Sequence, residues 1–372
     1  MLNMGLNQMK RICVWVNGRT PLVRAQPEST NLRLGAPPRM ATSLILHLLF
    51  PLLLFASPSL QAHHRNSPYV SHLTFLPNHQ KMLHTFKIYI YPHNPATTTF
   101  TEPAESAFYS TLLTSPFLTS DPDGAHLFFI PSIFSALSSR SISRHIRNIR
   151  STAPYWNRTL GADHFYLHST GLGYESDRNL VELKKNALQI SCFPTKHGRF
   201  VPHKDITLPP LNPTHPTPPS SKLVNDLLND PEILVDASPE VLLAGRLKQH
   251  KYCLLFYEDG SVAMVGEALR HGCVPVVVAA SGVQDLPMMG VLRWAEMAVF
   301  VGGGVSGEEV RRVLREVGSG GGHERMRGLG VAAAKHFTWG DGFEEQYDAF
   351  NSVMYQLWVR RHTIRYARVE VA

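Results

Sequence analysis

Short apolar runs of strand length alternate along the chain with segments in which apolar residues recur at helical spacing. The clearest example covers residues 252–278, where YCLLFY and VPVVV are continuous apolar or β-branched runs. Apolar residues recur every three or four positions between these runs, and Gly272 follows them as a helix-ending residue. This order predicts a parallel sheet covered by helices, with ligands bound at the carboxyl ends of the strands.

The same alternation extends over most of the chain after residue 85. Strands are predicted at residues 86–91, 126–131, 164–168, 188–193 and 297–301, and helices at 104–113 and 134–149. After a proline-rich segment, residues 220–249 predict a helix, a strand and a helix. With 372 residues, the chain is long enough for two α/β domains, each with its own core.

Composition and charge narrow the class of protein. Hydrophobic residues make up 44% of the chain and charged residues 17%, which is typical of a globular protein. Much of the net charge of +7 lies in the first 39 residues, which contain six basic residues and one acidic residue. No stripe of basic and aromatic residues follows, so we expect no nucleic-acid partner.

The four cysteines show no spacing typical of a zinc site. Cys253 lies in an apolar run and Cys273 adjoins one, and such cysteines are usually buried core residues without a partner. We therefore favour that interpretation over a disulfide. If the body of the chain is luminal, Cys192, Cys253 and Cys273 allow at most one intramolecular pair.

The N-terminal region predicts that the chain enters the secretory pathway. Residues 1–42 form a basic leader, which is spurious if translation begins at Met40, and residues 43–62 contain an apolar run. This run is short for a bilayer span and suits a signal peptide, but its flanks lack a good cleavage site, so a retained signal-anchor is the alternative. Basic residues on the N-terminal side alone predict a luminal body. Residues 63–85 are expected to be a stem.

Three motifs resemble those of one enzyme family, the exostosin-like glycosyltransferases (glycosyltransferase family 47). They are PYWNRTLGADHF in residues 154–165, FVPHKDITLP in 200–209, and GCVPV in 272–276 followed by DLPMMGVLRW. A further series of spaced matches, from Glu105 to the LFFIP strand, precedes these motifs in the chain. In plants this group builds cell-wall polysaccharides and proteoglycans.

The resemblance implies a GT-B-like α/β fold, in which two Rossmann-like parallel-sheet domains face a cleft. Residues 86–210 would form the N-terminal acceptor-side domain, 211–221 a proline-rich linker, 222–340 the nucleotide-sugar-binding domain, and 341–372 a C-terminal helix and tail. Family members usually carry a further strand and helix after the position of Pro210, and this chain does not match them there.

The function implied by the resemblance is transfer of a hexose or pentose from a UDP-sugar to a polysaccharide or glycoprotein acceptor. The protein would be a type II Golgi membrane protein, held by its N-terminal anchor and free to associate with other glycosyltransferases, or alternatively a secreted protein. Chemistry by inversion without a metal or other cofactor is expected. The alternative function is that of a catalytically impaired member that acts as a scaffold in a polysaccharide-synthesising complex.

An inverting transferase needs a base for the acceptor hydroxyl and groups that hold the diphosphate. Asp163 and Asp205 are the candidate bases. His164 and Lys204 are candidates for acceptor or sugar binding, although a hydrogen-bonded core role suits His164 equally, and fixing a loop suits Lys204 with Asp205 equally. Asn157 begins the glycosylation sequon Asn-Arg-Thr.

On the nucleotide-sugar side, the predicted helix would begin at Gly260 and Ser261, whose backbone N–H groups would bind the diphosphate. Glu267 would accept hydrogen bonds from ribose hydroxyls, and Gly272 and Pro275 belong to the matched GCVPV motif. The helix arginine of the family falls on Met264 in this register. The sequence Asp-Pro-Asp at 121–123 resembles a metal motif, but its proline and glycine neighbours predict a turn.

Overall fold

The computed structural model describes residues 67–94, 98–131, 137–173, 176–213, 219–235, 243–340 and 345–366. The basic leader, the apolar segment at 43–62, residues 214–218 of the proline-rich linker and residues 341–344 and 367–372 lie outside these residues. Within the described ranges, no helix is long and apolar enough to cross a membrane.

The first half of the chain forms a five-stranded sheet in which the strands follow one another in sequence order. All neighbouring pairs are parallel. The strands are β1 (Ile88–Ile90), β2 (Leu127–Phe129), β3 (His164–Leu167), β4 (Leu188–Cys192) and β5 (Ile206–Leu208). Strands β2, β3 and β5 are wholly buried and β4 almost so, whereas Tyr89 and Ile90 of β1 are half-buried. Burial on both faces explains the continuous apolar run LFF in β2.

Helices cover both faces of this first sheet. They are α2 (Pro103–Thr114), α3 (Ser139–Thr152), α4 (Pro154–Thr159) and α5 (Arg178–Asn186), with α1 (His72–Thr85) before β1. Phe129 of β2 packs in the same cluster as the apolar face of α2, whereas Phe128 packs with α3 and α5 on the other side. The helix predicted at 104–113 is confirmed. The helix predicted at 134–149 is observed from Ser139 onward.

The second half forms a four-stranded parallel sheet in the order β6, β7, β8, β9. Its strands are Ile233–Leu234, Tyr252–Phe256, Val274–Ala279 and Val299–Gly302, in that order. Its helices are α6 (Lys222–Leu227), α7 (Leu243–Gln249), α8 (Val265–His271), α9 (Gly307–Gly318) and α10 (Gly322–Ala333). The two parallel sheets confirm the predicted α/β class.

The last helix, α11 (Ala349–Tyr366), returns to the first half and packs against β5. Phe350 contacts Phe108 of α2, with ring centroids 5.4 Å apart, and Trp358 contacts Phe86 at 5.6 Å. One cluster of buried apolar side chains therefore extends from the first half into the second. The two halves share a core rather than meeting through a linker alone.

The segment expected to be a stem is a packed helix over its described part. Phe75, His79 and Met82 recur on one face of α1 and are buried. Phe75 packs edge-on against Tyr355 of α11, with ring centroids 4.8 Å apart. Residues 72–85 therefore belong to the folded body, because an apolar face at helical spacing has α11 to pack against.

Two further expectations about the second sheet are corrected. The predicted helix after Gly260 begins as a 3₁₀ turn, Ser261–Met264, and becomes α-helical only at Val265. Gly272 ends this helix with φ 75°, as predicted. Cys253 and Cys273 form a disulfide with Cα atoms 5.8 Å apart, so the preference for unpaired cysteines was wrong. Parallel pairing of β7 with β8 brings the two cysteines together.

Candidate active site

The carboxyl ends of the two sheets meet at one buried carboxylate, that of Asp285. Thr195, which follows β4, donates its backbone N–H to Asp285 Oδ2 at 2.7 Å. Tyr257, which follows β7, donates its hydroxyl to Asp285 Oδ1 at 2.8 Å. Thr207 Oγ1 adds a bond to the backbone carbonyl of Asp285 at 2.8 Å. The crevice between the halves is therefore bounded by the strand ends at which parallel α/β proteins bind ligands.

Burial raises the pKa of both partners in this contact. Asp285 is 2% exposed, and desolvation raises the pKa of its carboxyl despite the hydrogen bonds that oppose it. Desolvation, together with the Asp285 charge, also raises the pKa of the Tyr257 hydroxyl. A neutral tyrosine donating to a buried carboxylate is a strong hydrogen bond. This contact therefore fixes the position of the β7 end relative to the β4 end.

The turn after β7 uses its own backbone N–H groups. Gly260 N donates to Tyr257 O at 3.3 Å, with φ 85° at the glycine. Ser261 N donates to Asp259 Oδ1 at 2.7 Å, and Ser261 Oγ accepts from Phe256 N at 2.7 Å. The two N–H groups assigned to the diphosphate are therefore already bonded within the turn. Their diphosphate-binding role stays a prediction, and it requires these bonds to open.

The other residues predicted on the nucleotide-sugar side do not join this crevice edge. Glu267 pairs with Arg270 at 3.4 Å and with His271 at 3.6 Å on the surface of α8. Gly272 ends α8, and Pro275 lies in β8 opposite Cys253, so both are at the amino end of β8. The structure therefore places Gly272 and Pro275 away from the carboxyl edge, and Glu267 in the first turn of α8, paired with side chains of its own helix.

Met264 is part of the apolar core. Its side chain is 3% exposed and packs in the cluster that includes Val265 and Leu269 of α8. The position that carries the family arginine in sequence register is therefore filled by an apolar side chain with no room for solvent. Met264 therefore offers no charge to a ligand.

Asp163 and His164 lie at the amino end of β3, in a buried polar network. Asp163 is 1% exposed and accepts from Thr159 Oγ1 at 2.5 Å, from Arg158 at 3.3 Å and from His164 Nδ1 at 2.8 Å. His164 Nε2 pairs with the Tyr91 hydroxyl at 2.7 Å.

These partners set the ionisation of both groups. Burial alone would raise the pKa of Asp163, but bonds and charges from His164, Thr159 and Arg158 lower it overall. Burial lowers the pKa of His164. A fully paired carboxylate at the amino end of a strand is poorly placed to take a proton from a substrate. The geometry favours the core role for His164, and catalysis by Asp163 stays an unsupported prediction.

Asp205 and Lys204 lie just before β5 and fix the loop that leads into it. Asp205 is fully buried and accepts from Val201 N at 3.0 Å and from Gln189 N at 3.3 Å. Lys204 Nζ donates to Asp205 and also to Ala187 O at 2.6 Å. Buried charges need such complete pairing. This arrangement favours the loop-fixing interpretation over sugar binding or base catalysis, which stay predictions.

Asn157 is exposed on α4, and its side-chain amide donates to the backbone carbonyl of Arg150 at 3.0 Å. Its modification stays a prediction. Asp121 forms the predicted turn, since its two oxygens accept from Asp123 N at 3.0 Å and Gly124 N at 3.1 Å. No cluster of three or more metal-binding side chains occurs among the described residues.

Sequence reasoning did not assign a role to Glu105, in the first turn of α2. Its side chain is fully buried, and Oε2 accepts from Glu102 N at 3.3 Å as part of a capping box. Within the described chain, Oε1 has no hydrogen-bond partner. Burial raises the pKa of Glu105 to about 7, although nearby backbone N–H groups, including that of Ser169, act to lower it. The sequence signal was its place in the matched series.

Two cavities are found among the described residues, one in the second half and one between the halves. One of about 540 Å³ is lined by Lys251, Tyr252, Arg311 and His323, at the amino end of β7 and away from the crevice. Another of about 200 Å³ lies between the halves and is lined in part by Asp205, Gln284 and Arg360.

Comparison with known proteins finds similarity to one family over part of the chain. The model for the Exostosin GT47 domain matches residues 82–235. A probable glycosyltransferase of Arabidopsis thaliana is 26% identical over 338 residues, covering 76% of this chain and 64% of that protein. The probable β-1,4-xylosyltransferase IRX10 of Arabidopsis thaliana is 28% identical over 255 residues, covering 53% and 61%.

A probable glucuronosyltransferase of Oryza sativa subsp. japonica is 28% identical over 254 residues, covering 53% of this chain and 60% of that protein. The chain thus spans less than two thirds of the length of these curated relatives. The resemblance to glycosyltransferase family 47 is confirmed for residues 82–235, which match the Exostosin GT47 domain and contain the PYWNR and FVPHKD motifs.

Proposed function

We propose that the protein is a glycosyltransferase that moves a sugar from a UDP-sugar to a polysaccharide or proteoglycan acceptor. The observation that carries the proposal is the contact at Asp285, which holds the carboxyl end of β4 against that of β7. Two parallel sheets with their carboxyl ends joined in this way fit a GT-B-like enzyme, with donor and acceptor in the crevice. The exostosin match supplies the reaction class.

The first half would hold the acceptor and the second half the UDP-sugar. The names of the relatives favour UDP-xylose and UDP-glucuronic acid as the donors to try first. The reaction is proposed to invert the anomeric centre without a metal ion. The polar backbone of the turn after β7 and basic side chains outside α8 would then meet the diphosphate charge, since Met264 cannot.

The proposed location is the Golgi lumen, with residues 43–62 as a type II membrane anchor and a secreted form as the alternative. The Cys253–Cys273 disulfide supports a luminal body, because disulfides form and persist in oxidising compartments. Asn157 is exposed, as a glycosylation acceptor must be.

The test is nucleotide binding by the full chain, purified in detergent with its disulfide intact. Isothermal titration with UDP, with ADP as comparison, and UDP release from a panel of UDP-sugars in the presence of EDTA are measured. We expect selective UDP binding and release from one donor. Absence of UDP binding at millimolar concentration would overturn the enzyme proposal and leave the scaffold function.

A matched pair of variants tests the place of binding. Tyr257→Phe removes one bond to Asp285 at the carboxyl end of β7. Tyr252→Phe removes a bond to Leu314 O, 3.4 Å long, at the amino end of the same strand. We expect Tyr257→Phe to weaken UDP binding about tenfold, because the lost bond to Asp285 no longer holds the carboxyl end of β7 at the crevice, and Tyr252→Phe to leave it unchanged. Equal effects would contradict binding at the carboxyl edge.

A further inference from the structure

The first turn of α2 lies over the carboxyl ends of several strands of the first sheet. The Glu105 carboxyl lies beside the backbone N–H of Ser169, which follows β3, and its charge acts on the thiol of Cys192, the last residue of β4. One helical turn further on, the Tyr109 hydroxyl pairs with His93, which follows β1. Glu105 therefore lies at the carboxyl edge of the first sheet, whereas Asp163 and Asp205 lie at the amino ends of β3 and β5.

A structural role accounts for only half of this carboxyl group. The capping box uses Oε2, which accepts from Glu102 N. Oε1 is equally buried and makes no hydrogen bond of normal geometry within the described residues, although the backbone N–H groups of Thr101 and Ser169 lie close enough to lower the pKa of the carboxyl. A buried carboxylate oxygen without a hydrogen bond is costly, and natural folds rarely keep one without a use. Oε1 is thus free to accept a proton or a hydroxyl hydrogen bond.

We propose that Glu105 is the general base of the transfer reaction, an inference that rests on the proposed function. The acceptor hydroxyl gives its proton to Oε1 while its oxygen forms a bond to the anomeric carbon of the donor. The bond from that carbon to the β-phosphate oxygen breaks, and UDP leaves with the electron pair. The protonated carboxyl then returns its proton to solvent.

The surroundings suit this task. Burial keeps the carboxyl poised to exchange a proton near neutral pH, where a general base works best. Thr101 and Glu102, which adjoin the carboxyl group, are themselves exposed. Oε1 itself is fully buried, so an acceptor reaches it only after a local opening, and catalytic hydrogen bonds often form only in the substrate complex.

Glu105→Gln tests the proposal, because glutamine keeps the shape and the capping bond but cannot accept the proton. Its matched control is Glu309→Gln, which alters the equivalent capping-box glutamate at the start of α9. Both full-length variants are compared with the parent protein by UDP titration and by steady-state turnover of the donor that the panel identifies.

We expect Glu105→Gln to bind UDP normally, to lose about 10²- to 10⁴-fold in kcat, and to lose the acidic limb of the pH profile. Glu309→Gln should retain kcat within a few-fold. Glu105→Asp keeps a carboxylate on a shorter side chain, so its pH profile should retain the acidic limb while its kcat is reduced. This variant replaces Glu105→Gln in the test if the glutamine variant does not fold.

The outcomes separate the two proposals. If the parent protein binds no UDP, the proposed function fails. If the parent turns over its donor and Glu105→Gln does so at the same rate, or keeps the same pH profile, the assignment of Glu105 is overturned and the function stands.

Discussion

The burial of Glu105 predicts how the unfolding free energy of the protein depends on pH, and this can be measured without a substrate. The pKa of Glu105 is raised from 4.5 to about 7 by burial, so the folded protein holds this proton at pH values where the unfolded chain has released it. The unfolding free energy of the parent protein therefore falls as the pH rises from 4.5 towards 7, and the loss is complete above pH 7. Glu105→Gln cannot ionise and escapes this loss.

The size of the effect follows from the shift in pKa. A shift of one pKa unit corresponds to about 1.4 kcal/mol, so ionising this group at pH 8 costs the folded state about 3 kcal/mol. Part of that cost is already present at pH 5, which leaves a change of about 2 to 3 kcal/mol between pH 5 and pH 8. For a chain of 372 residues this corresponds to a difference in melting temperature on the order of 3 °C.

The assay is urea unfolding of the parent, Glu105→Gln and Glu309→Gln at pH 5, 6, 7 and 8, followed by intrinsic fluorescence. Other groups change the stability with pH too, but they are common to all three proteins, so the difference between curves isolates Glu105. We expect Glu105→Gln to become more stable than the parent as the pH rises. Parallel curves over this range would show that the carboxyl is not perturbed.

Three further results are expected. His79 is 1% exposed, and burial lowers its pKa to about 4, so the parent should lose about 3 kcal/mol of stability as the pH falls from 6.5 to 4. His79→Phe should reduce that loss in urea unfolding at pH 7 and pH 4.5; an unchanged loss would contradict it. Replacing Cys253 and Cys273 with alanine should cost about 3 kcal/mol, measured in the same way, because their bond closes a loop with a separation of 20 residues. Met264→Arg should cost more than 3 kcal/mol and should not improve UDP titration, because it buries an unpaired charge; tighter UDP binding would show that this position does face the ligand.

Parallel strands were the most predictable part of the fold. Segments such as LFF in β2 and VPVVVA in β8 are buried on both faces, so they appear in the sequence as unbroken apolar runs bounded by turns. The helix α1 was missed because its buried face consists of Phe75, His79 and Met82, with Pro77 inside the helix. Histidine and proline are typical of loops, and only packing against α11 makes this segment a helix.

The start of α8 and the disulfide show a second limit. A 3₁₀ turn and an α-helix place apolar residues at similar spacing, so Val262 and Val265 gave no sign of the change between them. Cys253 and Cys273 are separated by 20 residues, and only the parallel pairing of β7 and β8 places their side chains in contact. Pairing between neighbouring strands is a property of the tertiary fold.

The candidate bases illustrate how position along a strand decides function. Asp163 directly precedes β3, and Asp205 directly precedes β5. Their sequence positions therefore already place them at the amino ends of those strands. Glu105 follows β1 in the chain and begins a helix, which brings it to the carboxyl edge. The groups near its carboxyl include Ser169 and Cys192, which come from distant parts of the sequence.

Buried carboxylates at the amino and carboxyl ends of the strands differ in how completely they are hydrogen-bonded. At the amino ends, Asp163 and Asp205 are each held by several donors. Among the described residues, the buried carboxylate oxygens without a hydrogen-bond partner are Oε1 of Glu105 and Oδ2 of Asp259. One follows β1 and the other follows β7, so each half has such an oxygen in a segment that leaves the carboxyl end of a strand. Stability alone would favour pairing these oxygens as fully as those at the amino ends. A sugar substrate offers hydroxyl donors that could complete both, which gives a physical reason for the fold to leave them unpaired.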